Sequence, residues 1–255
     1  MVKGFDLFKE RFTEYSESFI VIGGTACDLN LSRFGGFRRT KDIDIIVITE
    51  NVSVEFASAL HEFLRLGGYS CYVSRDSKPH YYRFLSPKND AYPWQIEMLS
   101  HSLLPERTDM PFTPISLDDG VRSLSAIVLD EEYYKYAKDH RDFSAGVPCL
   151  ALDALVVFKS SAYLNLLSDK EQGSVSVRSE DINKHRNDVF RLVSVMPEDS
   201  KFELPNAIKE RLIKFITLFP SDSIEWDAIR SSVGVMALAP EVYIRRIKEM
   251  FSLGE

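Results

Sequence analysis

The stretch Val21-Ile22-Gly23-Gly24-Thr25, followed by Arg39-Thr40-Lys41-Asp42-Ile43-Asp44-Ile45-Ile46-Val47, decides how this chain is read. Phe19 to Ile22 is a short apolar run stopped by Gly23-Gly24, the pattern of a buried strand entering a tight turn. A helix is predicted to follow, with Thr25 as its N-cap. Ile43 to Ile48 is β-branched and predicts a second strand. Residues two apart on a strand point to one side, so Asp42 and Asp44 project together while Ile43 and Ile45 face the core.

Two neighbouring carboxylates repel each other, and a divalent cation relieves that repulsion. Oxygen ligands of this kind suit magnesium, with manganese as a substitute, and substrate phosphates complete the shell. The glycine turn is the complementary half. Without a Cβ at Gly23 and Gly24, backbone N–H groups can approach a phosphate, while Thr25 adds a hydroxyl and the helix its N-terminal dipole. A third acid is expected on a neighbouring strand, and Glu97 interrupts the apolar run Gln95-Ile96-Glu97-Met98-Leu99. In two-metal phosphoryl transfer such an acid holds the second ion or takes the proton of an attacking hydroxyl.

Outward from this segment, Val54 to Leu66 has helical spacing and stops at Gly67-Gly68. Strands are predicted at Tyr69 to Val73 and Tyr81 to Leu85, and, beyond a Pro-, Asp- and Ser-rich crossover from Pro105 to Gly120, at Ser125 to Leu129 and Val147 to Leu150. The chain then turns helical, over Leu152 to Leu167, Glu180 to Val195, Ala207 to Leu218 and Glu241 to Phe251. These readings give an α/β front and a mostly helical back.

Composition excludes several classes. The 255 residues are 45% hydrophobic and 27% charged, the proportions of a globular protein. No apolar run approaches the ~20 residues of a membrane span, and Met1 to Phe12 lacks a signal-peptide core, so a cytoplasmic location is expected. Three scattered cysteines, Cys27, Cys71 and Cys149, read as buried reduced thiols. The net charge of −7 rules out a general polyanion binder. Arg33, Arg38, Arg39 and Lys41 nevertheless form a local basic cluster, enough to meet one phosphate or one strand end.

In the helical part, Lys159 has Leu155, Val156, Ala162 and Tyr163 as its helical neighbours, so its charge either snorkels to water or has a partner. Asp181, Lys184, His185 and Asp188 fall on one side of their helix, opposite Ile182, Val189 and Val193; a solvated charged face is the plain reading. Tyr81, Tyr82, Tyr92 and Trp94, near the acids, either stack on a base or pack.

The order of these motifs resembles the nucleotidyltransferase superfamily typified by DNA polymerase beta. It is more closely similar to the AbiEii-type nucleotidyltransferases, toxins of type IV toxin–antitoxin and abortive-infection systems. Gly23-Gly24-Thr25-Ala26 with Arg39 to Asp44 resembles the family's first motif, and Gln95 to Ser100 its third-carboxylate strand. Leu155 to Tyr163 resembles the lysine helix, and Asp181 to Leu192 the following acidic helix. The chain departs from the pattern in having Gly23-Gly24 where Gly-Ser is common, and His185 where an aspartate is usual.

The resemblance implies an α/β (α+β) nucleotidyltransferase core with a mixed sheet over residues 1–115, and a strand-containing connection with a helical C-terminal region over 116–255 that completes the active site. It implies magnesium at Asp42, Asp44 and Glu97, nucleotide held by Gly23, Gly24, Thr25, Arg39 and Lys159, and a supporting aspartate at Asp188, with Asp181 as the alternative. The implied reaction moves a nucleoside monophosphate from an NTP to an acceptor hydroxyl, particularly a tRNA 3′ end. A cognate antitoxin is the implied partner. Transfer to a small molecule or a protein, and a catalytically silent nucleotide- or partner-binding domain, are the rival readings.

Overall fold

The computed structural model describes residues 2–35, 37–38, 40–71, 81–101, 130–143, 145–174 and 177–254. The chain divides into two compact units, one ending at Ala151 and the other beginning at Leu152. The division expected between 115 and 116 lies outside the described residues. The observed one comes later because the strands after residue 140 belong to the sheet of the first unit.

The first unit is an α/β structure on a mixed sheet. Among the described residues the sheet has seven strands: β1 (Phe19–Ile22), β2 (Asp42–Val47), β3 (Ser70–Cys71), β4 (Tyr81–Leu85), β5 (Gln95–Ser100), β6 (Arg141–Asp142) and β7 (Cys149–Leu150). Their order is β3-β4-β5-β2-β1-β7-β6. β1 runs antiparallel to β2, and β2 parallel to β5. β7 adds to β1 in parallel. The strand predicted at Ser125 to Leu129 and the crossover from Pro105 to Gly120 lie outside the described residues.

Three helices accompany the front of the sheet, α1 (Phe5–Phe12), α2 (Gly23–Leu31) and α3 (Val54–Gly67). The apolar face of α1 carries Phe5, Phe8 and Phe12 at helical spacing. Phe8 and Phe12 meet Phe63 of α3 with ring centroids 6.0 and 5.3 Å away, and Phe19 of β1 stacks on Phe56 at 6.3 Å. Each such buried aromatic contributes about 1.5–3 kcal/mol. α3 starts where the Ser53 hydroxyl accepts the Phe56 N–H, and ends at Gly68, whose φ of 66° suits glycine. A fourth helix, α4 (Glu131–Asp139), is capped by Asp130, which accepts the N–H groups of Glu132 and Tyr133.

The second unit is helical: α5 (Leu152–Glu171), α6 (Ser179–Val195), α7 (Asn206–Thr217), α8 (Glu225–Val233) and α9 (Pro240–Met250). Phe190 of α6 sits at its centre, with Phe215, Phe219, Trp226 and Tyr243 rings within 4.9 to 5.9 Å. No helix among the described residues is long and apolar enough to cross a membrane.

Candidate active site

The acids stand where strand alternation predicts. Along β2, Asp42 and Asp44 are half-buried while Ile43 and Ile45 are buried, so the carboxylates share one face. In the parallel pairing with β5, Asp44 lies opposite Glu97 and Asp42 opposite Gln95. Directly paired residues point to the same side of a sheet, so the three acids belong to one face of two adjacent strands.

The glycine turn lies closely against this strand and the residues leading into it. Gly23 has φ 66°, and a Cβ built on it would fall onto Asp44 Oδ2. A Cβ on Gly24 would come within 2.9 Å of Thr40 Oγ1. The Thr25 hydroxyl donates to the main-chain oxygen of Asp42 at 2.6 Å. Positions 40, 42 and 44 are therefore each met by one residue of Gly23-Gly24-Thr25. The start of α2 also favours negative charge beside it, which offsets part of the Asp42–Asp44 repulsion.

Thr25 corrects one expectation. The helix begins at Gly23, with Ile22 in extended conformation as its N-cap, so Thr25 lies inside the first turn. Its hydroxyl proton is committed to the acid strand. Gly23→Ala tests the clamp: it adds about 1–2 kcal/mol of left-handed strain and displaces the Asp44 carboxylate. The expected result is modest destabilisation in thermal melts with loss of Mg²⁺-dependent stabilisation. A variant that keeps the Mg²⁺ response would show that Asp44 does not depend on the close approach.

Glu97 is 6% exposed, and its Oε1 accepts from Arg83 Nε at 2.9 Å and from Gln95 Nε2. Arg83 lies opposite Glu97 across β4 and β5. Among the described residues, no three His, Cys, Asp or Glu side chains converge as a metal-holding group. The residues that could hold a hard cation are thus the Asp42–Asp44 pair, which supplies carboxylate oxygens. Gln95 was visible as a same-face neighbour of Glu97 in sequence; Arg83 needed the strand pairing to be found.

Arg39 lies outside the described residues. Its neighbours Arg38, Thr40 and Lys41 line a cleft of roughly 710 Å³ together with Phe37, Tyr92 and Trp94. The aromatics divide in role. Tyr92 packs on Phe63 with ring centroids 4.8 Å apart, whereas Trp94 is 56% exposed. The side chains of Tyr81 and Tyr82 are outside the described ones.

In the second unit, Lys159 on α5 places its Nζ 2.9 Å from Asp188 Oδ2 on α6. The residues are 4% and 0% exposed, so the lysine does not snorkel; burial demands the countercharge it has. The side of α6 expected to be solvated is split. Asp181 pairs with Lys184 at 3.0 Å in solvent, while His185 and Asp188 are buried. That favours Asp188 over Asp181 as the structurally committed acid.

Cys27 and Cys149 are buried. Burial, reinforced by nearby Asp142, pushes the Cys149 thiol up to about 12, which leaves it unreactive near neutral pH. No family model matches this chain, and no curated protein matches it.

Proposed function

We propose that this chain is a metal-dependent nucleotidyltransferase of the polymerase-beta-like fold, which moves a nucleoside monophosphate from an NTP to an acceptor hydroxyl and releases pyrophosphate. The acceptor in this reading is RNA, with a tRNA 3′ end as the first candidate, and the cellular role is that of a toxin restrained by a cognate antitoxin. One observation carries the proposal. Gly23 and Gly24 lie closely against Asp44 and Thr40, and the Thr25 hydroxyl bonds the main chain of Asp42, so that a strand–turn–helix corner and paired carboxylates form a single unit.

Asp42 and Asp44 are the residues that would hold magnesium or manganese, which when bound neutralises phosphate charge. The absence of a Cβ at Gly23 and Gly24 lets the side chains of Asp44 and Thr40 close on the turn, and the α2 dipole favours negative charge there. Lys159, with Asp188 fixing its amine, is assigned to phosphate charge in this reading. Positioning and electrostatics then supply most of the rate, as in phosphoryl transfer generally.

Two roles are open to Glu97, and Glu97→Gln separates them. The substitution keeps an oxygen for Arg83 but removes the charge. Loss of a metal ligand raises the Mg²⁺ concentration needed for half-maximal rate. Loss of a proton acceptor leaves that concentration unchanged and lowers turnover at saturating Mg²⁺ by about 10²- to 10⁴-fold. A full rate at ordinary Mg²⁺ would remove Glu97 from the chemistry and leave it as the partner of Arg83.

The experiment on the whole proposal incubates the protein with each α-labelled NTP and Mg²⁺, with and without total tRNA, and resolves RNA, protein and small-molecule products. Acid-dependent label on tRNA supports the RNA acceptor. Label on protein or a metabolite keeps the reaction and replaces the acceptor. No label in any fraction favours the silent binding domain.

A further inference from the structure

We infer that the cleft beside the acid strand binds a nucleotide unit, its base stacked on the Trp94 indole and its phosphate met by Arg38 and Lys41. The inference deepens the nucleotidyltransferase reading and rests on it for the choice of ligand class. The cleft falls within the roughly 300–1,000 Å³ of small-ligand sites, and it belongs wholly to the first unit. Thr40 and Lys41 in its wall directly precede Asp42.

Trp94 is placed as a platform. Its backbone is fixed from both sides: its carbonyl accepts the Ser86 N–H at 3.2 Å, and the carbonyl of buried Pro93 accepts the Tyr69 hydroxyl at 2.5 Å. β5 begins at the next residue. The indole is nonetheless 56% exposed, while the chain's other tryptophan, Trp226, is 4% exposed. A solvent-facing indole on a hydrogen-bonded main chain offers a π-face to any base, and stacking of this kind tolerates all four.

The polar lining fits the rest of a nucleotide. Lys3, Arg38 and Lys41 supply positive charge for a phosphate. Asp28 and Asp90 supply carboxylates that accept hydrogen bonds from ribose hydroxyls or base amino groups. A purely anionic ligand would be repelled by those two acids and would leave the indole without a partner. A nucleotide uses all three features.

A free nucleotide and the last nucleotide of a single-stranded RNA share this chemistry. The test therefore has two arms, ATP and a short single-stranded RNA labelled at its 5′ end, with inorganic triphosphate as a control. Binding is read by anisotropy of the RNA, and by quenching of the exposed tryptophan emission with ATP or RNA. The parent is expected to bind at least one nucleotide probe with quenching, and whichever arm responds names the source. Trp94→Ala is expected to weaken that binding by about 5- to 100-fold, with Trp94→Phe retaining most of it. Arg38→Gln with Lys41→Gln is expected to weaken binding and to flatten its salt dependence.

Affinity of Trp94→Ala within twofold of the parent, triphosphate competing as well as ATP, or no binding of either probe to the parent would each overturn the inference. Failure of the enzyme reading looks different. It leaves Trp94-dependent binding in place with no transfer to any acceptor, whereas transfer that is indifferent to Trp94→Ala sinks the cleft alone.

Discussion

Replacing Asp42 and Asp44 together with asparagine is expected to abolish nucleotidyl transfer, by about 10³-fold or more, because the charge that collects the cation is gone. The fold should survive. Asparagine has the shape of aspartate, the Thr25 hydroxyl binds the main chain of residue 42 and not its side chain, and removing two like charges relieves repulsion. Thermal melts make the distinction. Without Mg²⁺ the variant should melt close to the parent temperature. With Mg²⁺ at 100 times its dissociation constant the parent gains about 2.7 kcal/mol and the variant gains nothing. A variant that still responds to Mg²⁺, or that transfers within tenfold of the parent rate, would remove the acid pair from the site.

The second large effect is expected at the buried pair of Lys159 and Asp188. Asp188→Ala removes the carboxylate 2.9 Å from an ammonium group that is almost fully excluded from water, at a cost of about 3–5 kcal/mol, and Lys159→Met removes the ammonium from the buried carboxylate at similar cost. Replacing both, as Lys159→Met with Asp188→Ala, removes the two desolvation penalties together and should recover much of the lost stability. Urea unfolding of the four proteins gives the coupling energy directly. Activity of the double variant then decides what the lysine is for. A folded but inactive protein assigns Lys159 to the phosphate, and a folded, active one makes the pair a packing device. Asp188→Ala within about 1 kcal/mol of the parent would contradict the burial argument itself.

These sites differ in how far sequence could reach them. Asp42 and Asp44 were readable because strand periodicity is local: two residues on one β-branched run must share a face. Glu97 was readable as an anomaly, a charge inside an apolar strand. The clamp was not. Thr25 looks like a helix cap from its neighbours, yet Gly23 adopts a left-handed conformation that starts the helix earlier and sends the threonine hydroxyl to a strand seventeen positions away. The pairing of Lys159 with Asp188 was half-legible, since an ammonium on an apolar face needs a partner, but which acid supplies it depends on how two helices pack.

Among the elements, α1, α4 and α8 went unpredicted for identifiable reasons. Phe5, Phe8 and Phe12 carry a helical stripe, but over one short segment. In α4, Tyr133, Tyr134 and Tyr136 favour strands intrinsically, and tertiary burial with the Asp130 cap overrides that preference. α8 carries Trp226, Ile229 and Val233 at helical spacing, a stripe of three residues over one short segment. β6 is two residues long and has no periodicity to read, whereas β7 falls inside the strand predicted at Val147 to Leu150.

The order of synthesis gives the sheet's connectivity a further meaning. β1 lies between β2, which emerges soon after it, and β7, which the ribosome delivers only at Cys149–Leu150. At roughly 5–20 residues per second the nascent chain waits on the order of ten seconds with that flank open. During the wait, Phe19–Ile22, wholly buried in the finished protein, forms an uncovered edge able to pair with another chain. The acid strand is thus made well before the sheet around it can close. A message truncated between codons 101 and 149 would yield a fragment that carries all three acids and is expected to aggregate before it can act.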